Sequence, residues 1–124
     1  MKFCWTTIQV SNMEKSLAFY TEVLGLKIVR KMSPNPDMEI AFLAEGETQV
    51  ELMFNRKNQD IHFGKDISMG FIVDSIDGFM DAMKDKGIDL LEGPFQPNPF
   101  IKFIYIQDPD GMKIQLVENI EPAS

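Results

Sequence analysis

Val10-Ser11-Asn12-Met13 opens a helix at the end of a strand, and Val73-Asp74-Ser75-Ile76 does the same 63 residues later. Leu24-Gly25-Leu26 closes the first helix, and Lys86-Gly87-Ile88 closes the second. Val50-Glu51-Leu52 and Ile114-Gln115-Leu116 sit in the last strand of each half. The second half of the chain therefore repeats the first, and a repeat of this length sets the architecture before any motif does. A duplicated β-α-β-β-β unit brings equivalent strand positions together from two sides, which is where a pocket forms.

Working outward, residues 3–10 alternate as a strand, with Phe3, Trp5, Thr7 and Gln9 on one face and Cys4, Thr6, Ile8 and Val10 on the other. Ser11, with Glu14 three residues on, forms a capping box for the first helix. Met13, Leu17, Tyr20 and Leu24 fall on one helical stripe. Residues 26–31 are the next strand. Ser33-Pro34-Asn35-Pro36-Asp37 reads as a turn, because proline breaks both helix and ladder. Residues 38–44 and 48–54 form a hairpin. The polar stretch 55–66 is the linker. In the second unit, residues 67–73 are a strand and 75–86 a helix striped with Ile76, Phe79, Met80 and Met83. A short strand over 88–92, a proline-rich loop over 93–99, and a hairpin of 100–106 with 113–117 complete it. Asp108-Pro109-Asp110-Gly111 joins that hairpin, with proline at the second turn position and glycine at the left-handed bulge. The chain is expected to fray from Glu118 onward. The expected organisation is one domain over 1–124: module 1 (1–54), linker (55–66), module 2 (67–118) and tail (119–124).

A chain of 124 residues supports one compact domain, or two small modules sharing a core. The net charge of −7 argues against a nucleic-acid partner and suits a cationic or polar small ligand. The longest apolar runs are too short to span a bilayer, and no signal-peptide pattern opens the chain. Cys4 is the single cysteine, so a disulfide framework is excluded and a reducing cytoplasm is the expected setting. The single histidine, His62, falls in the linker and reads as a solvated loop residue. Phosphate-cradling glycine loops and nucleophile elbows are both missing from the sequence.

The segment from Val10 to Tyr20, then Val23-Leu24-Gly25-Leu26, Val50-Glu51-Leu52 and Asp108-Pro109-Asp110-Gly111-Met112-Lys113-Ile114-Gln115-Leu116, resembles the vicinal oxygen chelate superfamily. That group includes glyoxalase I, bleomycin-resistance proteins and extradiol dioxygenases. The resemblance spans nearly the whole chain and implies an α+β fold, with two β-α-β-β-β modules forming an open eight-stranded mixed β cup in a homodimer. Metal-dependent members place one ligand in the first and last strand of each module. The corresponding positions here are Trp5 and Glu51, then Ser68 and Gln115.

Trp5 offers only an N–H donor, and Ser68 is a poor neutral ligand for nickel or zinc. The expectation is a cup without metal or other cofactor, binding a small polar or cationic organic molecule. Trp5, Glu51, Ser68 and Gln115 would contact it, with Thr7 and Gln9 nearer the rim. Glu51 would pair with a cationic group, and Trp5 would supply an aromatic face. Phe95, Phe100 and the prolines at 94, 97 and 99 would form the rim. The alternative is a glyoxalase I-like lyase or isomerase, of the lactoylglutathione lyase type. In it Glu51, in an apolar setting beside Trp5, would act as general base and Gln115 would orient the substrate. A third reading is a dimeric scaffold with a collapsed cup.

Overall fold

The computed structural model describes residues 1–44, 46 and 48–121. They divide into two compact units, Met1–His62 and Phe63–Ser124. The first unit runs β1 (Trp5–Val10), α1 (Met13–Ala18), a π-helical turn (Phe19–Val23), β2 (Ile28–Asn35), β3 (Met38–Leu43) and β4 (Gln49–Asn55). The second runs β5 (Met69–Ile72), α2 (Ile76–Asp85), β6 (Glu92–Asn98), β7 (Ile101–Gln107) and β8 (Lys113–Asn119). Strand order is β1-β4-β3-β2 in one sheet and β5-β8-β7-β6 in the other. In both, the first and last strands are parallel and the remaining pairs antiparallel. Each unit is therefore a β-α-β-β-β module, and the fold class is α+β as the repeat predicts.

The alternation of side chains along each strand sorts the sheet into two faces. In the first unit Ile8, Val10, Ala41, Leu43, Val50 and Leu52 are buried on the face that receives the helix, together with Met13, Phe19 and Tyr20. In the second, Ile104, Ile106, Ile114 and Leu116 are buried with Ile76 and Met83 of α2. Helix α1 packs on β4, and α2 on β7 and β8. The opposite face of each sheet carries the polar and aromatic residues.

Several local expectations are corrected. Asn12, not Ser11, caps α1: its backbone is extended (φ −151°, ψ 109°) and its side chain accepts from the Lys15 amide. Both residue types cap well, and the helix starts one position later because Val10 is still paired with Phe54 in the ladder. The helix then widens into the π turn, in which the Leu24 amide donates to the Phe19 carbonyl. That turn buries Phe19 beside Tyr20, with ring centroids 5.1 Å apart, edge to face. Ser75, expected as the first residue of the second helix, is instead its cap, accepting from the Gly78 amide at 3.0 Å.

The two proline-rich segments read as a turn and a loop are largely strand. Pro34 lies in β2, and Pro94 and Pro97 lie in β6. Each of these strands is the edge of its sheet, and the prolines fall where the register shifts, between Met32 and Asn35 and between Glu92, Phe95 and Asn98. An edge strand at a bulge has no ladder bond for the missing N–H to break. The expected short strand over 88–92 is replaced by β6, which begins at Glu92.

The Asp108–Gly111 turn forms as expected. Gly111 has φ 90°, and the Asp108 carboxylate accepts from the Asp110 and Met112 amides, both at 2.9 Å. Glu118 does not fray. It lies in β8, and its carboxylate accepts from the Ile76 amide at 2.7 Å, holding the first turn of α2. The expected fraying of residues 122–124 lies outside the described residues.

Candidate functional site

In the first unit, Trp5, Thr7 and Gln9 of β1 share the face turned away from α1 with Glu51 and Met53 of β4, as alternation demands. Register makes Thr7, not Trp5, the backbone partner of Glu51; Trp5 is opposite Gln49. Glu51 is only 8% exposed. Its carboxylate accepts a hydrogen bond from the Thr7 hydroxyl. This corrects the expectation of an apolar setting beside Trp5: the nearest group on β1 is a donor. Gln9 turns its amide toward the Met53 sulfur, at 3.7 Å.

On the other side of Glu51, its partner across β3 is Phe42, and the partner of Phe42 across β2 is Arg30. Phe42 is buried, and its ring is met edge-on by Trp5 at 5.1 Å. The Arg30 guanidinium lies over the same ring, 4.4 Å from its centroid. Trp5 itself is 42% exposed. The first unit thus presents a lateral row across all four strands: guanidinium, aromatic ring, carboxylate, hydroxyl.

The second unit has its own row. Gln115 of β8 is flanked by Gly70 of β5 and Tyr105 of β7, and Tyr105 by Glu92 of β6. Ser68 is exposed and precedes β5 by one residue. Tyr105 packs with Phe103 and Phe95, and the Lys113 ammonium lies 4.2 Å from the centre of the Tyr105 ring. Lys113 also approaches Glu92 at 3.9 Å. A groove of about 280 Å³ opens beside these residues, lined in part by Lys65, Leu91 and Gln107. Cys4 is exposed, and the exposed His62 ring lies 3.1 Å from an Asp60 carboxylate oxygen.

Phe42, Arg30, Tyr105 and Lys113 are the residues that sequence reasoning missed. Their alternation was visible within each strand. Their adjacency to Glu51 and Gln115 depends on register between strands, which no pattern along the chain reports.

Residues 2–116 match the family model described as the Glyoxalase/Bleomycin resistance protein/Dioxygenase superfamily. The chain belongs to that superfamily. Within it, the chain is similar to lactoylglutathione lyase of Salmonella typhimurium, 32% identical over 95% of this chain and 93% of the relative. A probable lactoylglutathione lyase of Synechocystis is 30% identical, covering 92% of each. Among solved structures of the superfamily, the trypanothione-dependent glyoxalase I of Leishmania major superposes with a TM-score of 0.80 at 25% identity, over 95% of this chain and 86% of that one. An antibiotic-binding protein from a Streptomyces strain superposes at 0.75 with 20% identity, over 96% of both chains, and shares the fold. None of the helices among the described residues is long and apolar enough to cross a membrane.

Proposed function

We propose that this superfamily member binds a small polar or cationic organic molecule on the sheet face of Glu51, without a divalent metal. The observation that carries this reading is the setting of Glu51: a nearly buried carboxylate, held by the Thr7 hydroxyl on one strand and floored by Phe42 on the next. A carboxylate so placed is costly to desolvate unless a partner answers its charge. A cationic group above it supplies that partner, and the half-exposed indole of Trp5 offers it an aromatic face. The residues at the family's metal-ligand positions do not suit a transition ion. The Trp5 indole has no lone pair to donate, and one oxygen of Glu51 is engaged by Thr7. Gln9 would lie at the rim.

Metal analysis of the purified protein tests the first part. Substoichiometric nickel, zinc, iron and manganese is the expected result, and close to one equivalent of any of them per chain overturns it. A thermal-shift screen with small organic amines tests the second. A ligand specific for the native state raises the melting temperature, and Glu51→Gln should abolish that rise.

The names of the relatives favour a second reading, a lyase or isomerase of the lactoylglutathione lyase type. Here Glu51 takes a proton from the carbon beside a carbonyl, leaving an enediolate, and returns it to the neighbouring carbon. Nothing in the unit-1 row except Arg30 offers positive charge to such an enediolate, and Glu51 itself opposes it. Turnover of a glutathione hemithioacetal by the metal-free protein, lost in Glu51→Gln with substrate affinity retained, would establish this reading over binding alone. The binding reading also carries a homodimer in the cytoplasm, and sedimentation reads the first of these.

A further inference from the structure

We infer that the ligand of the Glu51 face is a zwitterion, with its anionic end read by Arg30; the inference rests on that face being the binding face. Three observations meet here. First, the Arg30 side chain makes no hydrogen bond or ion pair among the described residues, although it is the residue that extends the row past Phe42. Second, its guanidinium is laid on a buried ring. A cation held over a ring uses none of its N–H donors in that contact, and a guanidinium with free donors can grip a carboxylate through two parallel bonds. A side chain already held against a wall loses less freedom when it binds. Third, Glu51 receives one hydrogen bond, at one carboxylate oxygen, and the other oxygen accepts nothing from the described residues.

The spacing suits both ends of one small molecule. Arg30 and Glu51 stand two strands apart, about 10 Å at the backbone. The guanidinium leans back over Phe42 and shortens that gap. An ammonium and a carboxylate on one carbon, each adding a hydrogen bond of about 2.8 Å, span between one and two strand spacings. The buried Phe42 ring between the charges keeps them from closing on each other, and the half-exposed Trp5 indole beside it gives the ligand's carbon atoms an apolar wall. A free amino acid is the chemical class that presents these three features together, and Trp5 beside the row favours one with an aromatic side chain.

Calorimetric titration of the full, chelator-treated protein with three probes of one body tests this: phenylalanine, phenethylamine (cation only) and 3-phenylpropanoate (anion only). Phenylalanine is expected to bind about tenfold or more tighter than either fragment. Arg30→Met should reduce phenylalanine to the affinity of phenethylamine, and Glu51→Gln should reduce it to that of 3-phenylpropanoate. Arg30→Lys keeps the charge without the fork and should recover only part of the affinity, which serves if Arg30→Met does not fold. If phenethylamine binds as well as phenylalanine and Arg30→Met changes nothing, the zwitterion assignment falls while the cationic reading of Glu51 stands. If 3-phenylpropanoate binds best and Glu51→Gln changes nothing, Glu51 is not the cation site and both fall. Failure of all three probes to bind at millimolar concentration also overturns both.

Discussion

Thr7 and Glu51 are backbone partners on the parallel strands β1 and β4, and the Thr7 hydroxyl donates to the Glu51 carboxylate. The residue that stabilises the central acid of the candidate site is thus two positions along β1 from the Trp5 indole. Removing the hydroxyl while keeping the shape, in Thr7→Val, leaves a nearly buried carboxylate without its donor. The expected loss of stability is about 1–3 kcal/mol, read by urea denaturation. Thr7→Ser should keep most of it.

Ser16 is fully buried in α1, and its hydroxyl has no hydrogen-bond partner among the described residues. An unmade hydrogen bond in the interior is a standing cost. Ser16→Ala removes the polar atom with almost no change in volume. It should raise stability by about 1 kcal/mol, seen as a higher midpoint in the same urea assay.

Gly93 opens the bulged edge strand β6 with φ 106°. An added Cβ would lie 3.1 Å from the Phe103 carbonyl oxygen and 3.3 Å from the Ile104 Cα. Both the left-handed backbone and the close approach of β7 exclude a side chain there. Gly93→Ala is expected to cost about 1–3 kcal/mol, and to loosen the Phe95–Phe103–Tyr105 cluster that this pairing brings together. Thermal unfolding and the ring resonances of those residues would register it.

Glu118 caps α2 from a distant strand, accepting from the Ile76 amide. A carboxylate at a helix N-terminus meets both free amides and the positive end of the helix dipole. Glu118→Ala should lower stability by about 1 kcal/mol and speed hydrogen exchange at Ile76, while exchange near the C-terminal end of α2 changes less.

The donor chemistry behind the metal-free reading makes a further prediction. Trp5→His installs an imidazole on the sheet face that carries Glu51. That variant should take up nickel or zinc where the parent does not, as metal analysis after dialysis against the ion would report. Imidazole supplies the lone pair that indole withholds.

The repeated order of elements and the Asp108–Gly111 turn were legible along the chain because each element depends on residues within a few positions of one another, whereas the cap of α1 was misplaced by one residue. So was the sorting of Trp5, Thr7 and Gln9 onto one face of β1, since strand alternation is strictly local. The prolines misled for the opposite reason. Whether proline ends a strand depends on whether its neighbour in space needs the N–H, and Pro34, Pro94 and Pro97 lie on sheet edges.

By itself, then, the amino-acid sequence determined a duplicated β-α-β-β-β chain with an acid near the centre of its first sheet, because periodicity and turn chemistry are short-range. Tertiary structure alone decided what surrounds that acid. Thr7, Phe42 and Arg30 lie 44, 9 and 21 residues from Glu51 in sequence and are joined to it in one row only by inter-strand register. Register is set by which faces of four strands can be buried together, a property of the assembled sheet that no single strand carries.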